Sequence, residues 1–138
     1  MANVLVIEDD RDTRTFLSEY LCDDGHETDE AAEGLAGIEK ATTNVPDVIL
    51  LDVLMPILDG FQVLAVLQAD ERTSRVPVVM LSGKNDMDTR ARAFKLGAVD
   101  YLGKPCSRAD VISAVNSLVP KAAMLAPPPV DPHQEVPL

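Results

Sequence analysis

The sequence predicts an α/β fold, a parallel β-sheet covered on both faces by helices, and two observations carry that expectation. Four separate apolar runs each end in a polar residue suited to phosphate chemistry: NVLVIED reaches Glu8 and Asp9, DVILLD reaches Asp52, VPVVML reaches Ser82 and VDYLGK reaches Lys104. Runs of this length, rich in Val, Ile and Leu and bounded by turn residues, read as strands buried on both faces of a parallel sheet. Between them lie segments with helical spacing, and alternation of strand with helix implies right-handed βαβ crossovers. Ligands on such sheets bind at the carboxyl ends of the strands. Residues far apart in sequence are therefore expected to meet in one pocket holding three carboxylates, a hydroxyl and an ammonium.

The elements follow in order. The first strand delivers Glu8 and Asp9. A helix is expected from roughly Arg11 to Asp24, with Phe16, Leu17, Tyr20 and Leu21 as its apolar stripe and Gly25 as its stop. A weak second strand near Glu27–Ala31 precedes a helix carrying Leu35, Ile38 and Ala41, ended by Asn44, Val45 and Pro46. The third strand ends at Asp52, and the loop Val53–Asp59 leads to a helix starting near Gly60 with Phe61, Leu64, Val66 and Leu67 inward. Pro77 opens the fourth strand, a position that needs no ladder donor. A short helix with Ala91, Ala93 and Phe94 ends at Gly97, the fifth strand spans about Val99–Leu102, and a last helix runs from Ser107 to about Val119. Six of the last nineteen residues are proline, so the segment after Pro120 reads as an extended, mobile tail rather than core.

A length of 138 residues suits one domain with a proper core. The formal net charge of -11 argues against intrinsic affinity for nucleic acid or an anionic membrane, so partners are expected to be proteins. Cys22 and Cys106 are the only cysteines and lack CxxC spacing, so neither a zinc site nor a disulfide framework is indicated, and a reducing cytoplasm is the simplest compartment. No apolar stretch approaches a membrane span. His26, in an acidic loop, and His133, in the tail, read as surface residues.

Crowded together in a partly desolvated site, Glu8, Asp9 and Asp52 would repel one another unless some protonate or a cation joins them. Magnesium fits best, because it prefers hard oxygen ligands and keeps positions open for a phosphoryl group. Three negative charges against Mg²⁺ and Lys104 sum to zero. An Asp carboxylate can attack phosphorus to form an acyl phosphate. Lys104 and the metal would neutralise the transferring oxygens, while the Ser82 hydroxyl would hydrogen-bond one of them.

These residues resemble the receiver domain of two-component response regulators over roughly Asn3 to Val119. VLVIEDD is similar to the family's acidic motif, placing metal-binding acids at Glu8 and Asp9 with Asp10 just beyond. LLDVLMPILDG resembles the phosphorylation motif, which implies Asp52 as acceptor, the Leu54 carbonyl as a further metal ligand, and a loop shaped by Pro56 and Gly60. VVMLSGK and GAVDYLGKP are similar to the segments carrying the switch hydroxyl, here Ser82, and the switch aromatic and lysine, here Tyr101 and Lys104. The resemblance implies a flavodoxin-like five-stranded parallel sheet in order 2-1-3-4-5 with five helices, a receiver over residues 1–120 and a proline-rich tail or truncated linker over 121–138.

By the same resemblance, Asp52 takes a phosphoryl group from a phosphohistidine on a sensor kinase or phosphotransfer protein, with Mg²⁺ required, and the only catalysis is self-phosphorylation and slow hydrolysis. The first helix and neighbouring loops would dock the donor. Ser82 and Tyr101 would relay the change to the surface of helix four, strand five and helix five, for a downstream protein or a missing output domain. Of the charge pairs that dimerise DNA-binding relatives, Arg90 and Asp110 match one. Asp100 keeps half of another, because Ala114 stands in for its basic partner, and Val99 replaces the acid that would meet Lys121. A monomer or weak phosphorylation-dependent dimer is therefore expected. Cys106 departs from the large apolar residue usual after the Lys-Pro pair.

Two rival classes fit less well. A magnesium-dependent aspartyl phosphatase would want a second Asp where Leu54 stands. A flavodoxin-like phosphate binder would want a Ser, Thr and Gly-rich loop where the sequence reads EDDRD. A degenerate receiver serving only as a scaffold would be expected to lack a site residue, and none is missing.

Overall fold

A computed structural model describes residues 2–84 and 86–119. In chain order the elements are β1 (Asn3–Ile7), α1 (Arg11–Asp23), β2 (Glu27–Ala31), α2 (Gly34–Thr43), β3 (Val48–Asp52), α3 (Gly60–Ala69), β4 (Val78–Ser82), α4 (Met87–Lys95), β5 (Asp100–Gly103) and α5 (Arg108–Leu118). The five strands form one sheet in the order β2-β1-β3-β4-β5, with parallel pairing throughout. The expected tail after Pro120, with His133 and Lys121, lies outside the described residues.

Alternation along the central strands builds two apolar layers. Leu5, Ile7, Ile49, Leu51, Val78 and Met80 face α2, α3 and α4. Val4, Val6, Val48, Leu50, Val79 and Leu81 face α1 and α5, meeting Leu17, Leu21, Val111 and Val115. Because β3 and β4 are buried along their whole length, their strand ends arrive in a nearly dry rim where a carboxylate and a hydroxyl are held with little freedom.

Helix starts are set by side-chain caps, which satisfy first-turn N–H groups. Asp10 accepts from the Thr13 N–H, Asp59 and Gln62 form a reciprocal capping box, Asp86 accepts from the Thr89 N–H, and Ser107 accepts from the Asp110 N–H. Gly25 and Gly97, both with positive φ, turn the chain after α1 and α4 as their positions in the sequence suggest.

Val66, expected inward, is exposed, and so are Phe16 of the α1 apolar stripe and Leu35, Ala91 and Phe94 on their helices. Each helix buries a stripe narrower than its apolar content, because the sheet contacts only one side of it; in α4, Ala93 alone is fully buried. The structure also overturns the surface reading of His26, which is 7% exposed. The turn at Gly25 folds it under α5, where its Nδ1 accepts from the Ala2 N–H at 3.0 Å and its Nε2 lies 2.8 Å from Asn116 Oδ1. That pattern assigns the proton of the neutral ring to Nε2.

Candidate functional site

The carboxyl edge of the sheet collects Glu8 and Asp9 after β1, Asp52 at the end of β3, Ser82 at the end of β4 and Lys104 just beyond β5. Glu8 and Asp52 are almost solvent-free, at 0% and 3% exposure, whereas Asp9 is exposed. One oxygen from each of the three carboxylates can be chosen so that all lie within 4.8 Å of one another. Lys104 reaches into this cluster, its Nζ 2.6 Å from Glu8 Oε1 and 3.0 Å from Asp52 Oδ1. The Lys104 N–H donates to the Ser82 carbonyl at 2.8 Å, so the backbone of β4 fixes where the ammonium starts.

The electrostatics are those of a site short of positive charge. Burial raises the Asp52 carboxyl above its ordinary value, and the Glu8 charge raises it further, while Lys104 opposes both. Burial works to lower the Lys104 ammonium, but its contacts with Glu8 and Asp52 win and hold it above the ordinary value. Glu8 Oε1 is fully buried, and the Lys104 ammonium 2.6 Å away is the cation it meets. Two buried carboxylates and one exposed one against a single ammonium leave room, in charge and in hard oxygen donors, for a divalent cation; the donor set fits Mg²⁺. Asp10 is not part of the cluster. Its carboxylate caps α1, and hydrogen bonds from the Thr13 side chain and backbone hold it below the usual range.

The loop after Asp52 is shaped by one close approach. A Cβ at Gly60 would sit 2.2 Å from the Asp52 carbonyl oxygen, and the Gly60 N–H donates to the Val53 carbonyl at 2.8 Å. Only glycine lets α3 begin so near the end of β3. Leu54, expected to offer its carbonyl, points its side chain into solvent, and Ile57 takes a positive φ at the exposed tip.

Ser82 is fully buried, its Oγ accepting from the Lys84 N–H at 2.9 Å. Tyr101 already lies inward, 2% exposed, donating its hydroxyl to the Lys84 carbonyl, with the Arg90 guanidinium 5.6 Å from its ring centre. The two expected switch residues thus converge on the backbone of a single residue, Lys84. Beside the acidic cluster, Phe16, Leu17 and Tyr20 of α1 and Pro105 and Cys106 line a groove of about 470 Å³ that opens at Lys104. Burial pushes the Cys106 thiol up, away from thiolate reactivity.

Arg14, unremarkable in the sequence, also touches the site. Its guanidinium donates to the Glu8 carbonyl at 2.8 Å and to Glu30 Oε1 at 3.2 Å. No periodicity signals such a contact, since it joins a helix face to carbonyls of the preceding loop and to a carboxylate on β2.

Comparison with known proteins agrees with this geometry. The family model of the response regulator receiver domain matches residues 4–116. The transcriptional regulatory protein PrrA of Mycobacterium tuberculosis is 39% identical over 116 residues, covering 84% of this chain and 49% of that protein. Protein PilH of Pseudomonas aeruginosa is 32% identical over 119 residues, covering 86% of this chain and 98% of PilH. The chain spans about half the length of the first curated relatives it matches. Among solved structures, the chemotaxis protein CheY4 of Vibrio cholerae superimposes with a TM-score of 0.82 at 28% identity, covering 86% of this chain and 98% of that one. With the five-stranded order, the acidic edge and a family match over most of its length, this chain belongs to the receiver domains of two-component response regulators.

Proposed function

We propose that the chain is a phosphoacceptor switch in which Asp52 takes a phosphoryl group from a phosphohistidine of a sensor kinase or phosphotransfer protein. The observation carrying this reading is the meeting of Glu8, Asp9 and Asp52 around one ammonium at the sheet's carboxyl edge. An Asp52 carboxylate oxygen attacks phosphorus, the phosphorus–nitrogen bond breaks, and the imidazole leaves with the bonding pair. Glu8, Asp9 and Asp52, with the Leu54 carbonyl, would hold Mg²⁺, which would supply positive charge to the transferring oxygens. Lys104, able to release one carboxylate, follows a phosphoryl oxygen. The Ser82 hydroxyl uses its oxygen as an acceptor for the Lys84 N–H, so its proton is available to a second phosphoryl oxygen.

Drawing Ser82 toward the phosphoryl group pulls on Lys84, the residue that also anchors Tyr101, and so reaches the surface of α4, β5 and α5. That surface would engage a downstream protein or an output domain. Slow hydrolysis returns the switch to rest. We further propose that residues 1–120 form the receiver and 121–138 a proline-rich tail or linker, and that the chain works in the cytoplasm; no described helix is long and apolar enough to cross a membrane.

The deciding experiment is intact-mass analysis after incubation with acetyl phosphate or phosphoramidate and Mg²⁺. Wild type is expected to gain one phosphoryl group and Asp52→Ala none, and equal modification of the variant would refute the assignment. Asp9→Asn is expected to abolish the Mg²⁺ requirement's structural basis, read as lost Mg²⁺ binding in calorimetry.

A further inference from the structure

Arg14 is a largely buried cation, its side chain 17% exposed, that phosphoryl chemistry leaves unused. It stands in the first turns of α1, where its own N–H goes to the Asp10 carbonyl at 2.9 Å in the ordinary helical pattern. The guanidinium turns back over the loop instead of out to solvent. Nη1 donates to the Glu8 carbonyl at 2.8 Å and lies 3.5 Å from the Asp9 carbonyl, while Nε donates to Glu30 Oε1 at 3.2 Å. The Glu30 backbone is fixed, being paired with Val6 in the β1–β2 ladder next to Ala31, whose carbonyl accepts from the Glu8 N–H at 3.0 Å, and its side chain, 41% exposed, reaches Arg14 from there.

The carbonyls that Arg14 faces belong to the two acids that β1 contributes to the site. Glu8 has other restraints: its Oε2 accepts from the Asp10 N–H and its Oε1 lies against Lys104. Asp9 is different. Among the described residues its carboxylate makes no hydrogen bond or ion pair, and it is exposed, so the direction in which it points is set by its backbone. A planar guanidinium held at two edges fixes orientation in a way a point charge cannot.

From this arrangement we infer that Arg14, braced by Glu30, is a positioning residue for the metal: it holds the Glu8–Asp9 backbone so that the Asp9 carboxylate meets those of Glu8 and Asp52. The inference rests on the metal reading above. A purely electrostatic role predicts the opposite sign, because a cation close to a cation site weakens binding and its removal would tighten it.

Calorimetric titration of Mg²⁺ into the unphosphorylated full chain separates these, with thermal unfolding of each variant followed without metal. Arg14→Gln and the charge-conserving Arg14→Lys are both expected to weaken Mg²⁺ by about 10–100-fold, the loss typical when a partner that orients a metal ligand is removed. Glu30→Ala is expected to weaken it less, and the Arg14→Gln/Glu30→Ala double variant no more than Arg14→Gln alone. Should Arg14→Gln not fold, Glu30→Ala and Arg14→Lys carry the test. Wild-type affinity in Arg14→Lys with tighter binding in Arg14→Gln would overturn the inference, as would a lowered unfolding temperature with unchanged affinity. Asp9→Asn serves as the control: if it binds Mg²⁺ as wild type does, the metal reading has failed and the inference falls with it.

Discussion

Asp52 and Glu8 end neighbouring strands in a rim almost without solvent, and they share one ammonium. Burying a carboxylate in this way costs stability. Because burial and Glu8 raise the folded-state value of Asp52 above its ordinary 3.8, the folded protein binds that proton more tightly than the unfolded chain does. The stability linked to it is complete below about pH 3.8 and is lost as pH rises through the elevated folded value. In Asp52→Asn the side chain at this position no longer titrates. With EDTA present, the variant is therefore expected to match wild type in acid and to exceed it by about 1–3 kcal/mol near neutrality, the cost of a poorly satisfied buried group. Urea unfolding across pH measures this, and a variant less stable than wild type at pH 7.5 would contradict it. Excess Mg²⁺ should shrink the difference, since only wild type retains the full ligand set.

Among the elements, α3 is held closest to the Asp52 backbone. Its first residue, Gly60, approaches the Asp52–Val53 backbone so nearly that an added Cβ would lie 2.2 Å from the Asp52 carbonyl oxygen and 2.8 Å from Val53 Cα. Neither atom belongs to a flexible side chain, so relief requires the helix or the strand end to move. Gly60→Ala is expected to cost about 1–3 kcal/mol, as overpacking does elsewhere, and to slow phosphorylation by small donors through displacement of Asp52. Unchanged urea stability would show that the α3 start can retreat without strain. α4 is the contrasting element. It buries one residue fully, Ala93, and is otherwise anchored through cation–π contacts of Arg92 with Phe61 at 4.2 Å and of Arg90 with Phe94 and Tyr101 at 5.5 and 5.6 Å. A helix so lightly packed is the one a change at Ser82 and Lys84 can most readily shift.

For the molecule as a whole, the question is whether phosphorylation makes a dimer. Of the charges that could pair copies through α4, β5 and α5, Arg90 is already over two aromatic rings of its own chain, and Val99 and Ala114 offer no charge. One exposed pair of Arg90 with Asp110 is worth about 0.2–1 kcal/mol, too little to specify an interface. Sedimentation of the phosphorylated protein at micromolar concentration is expected to give a monomer or a weak dimer. A tight dimer dissolved by Arg90→Glu would show that this surface is used between copies after all.

The order of elements, the identity of the strand ends and the convergence of Glu8, Asp9, Asp52, Ser82 and Lys104 were legible in the sequence, because burial on both faces forces unbroken apolar runs and parallel pairing carries every strand's last residue to one edge. What periodicity could not reveal was which part of an apolar helix meets the sheet: Phe16, Leu35, Val66 and Phe94 belong to stripes yet face solvent, since a single flat contact covers only one side of a helix. Nor could it reveal pairings across long separations. His26 is buried because Ala2 and Asn116 close over it, and Arg14 is tied to Glu30 across the β1–β2 edge. Local pattern decided what each segment becomes, and only the folded packing decided which polar side chains would find partners, because those partners lie on other elements whose approach no short window of residues encodes.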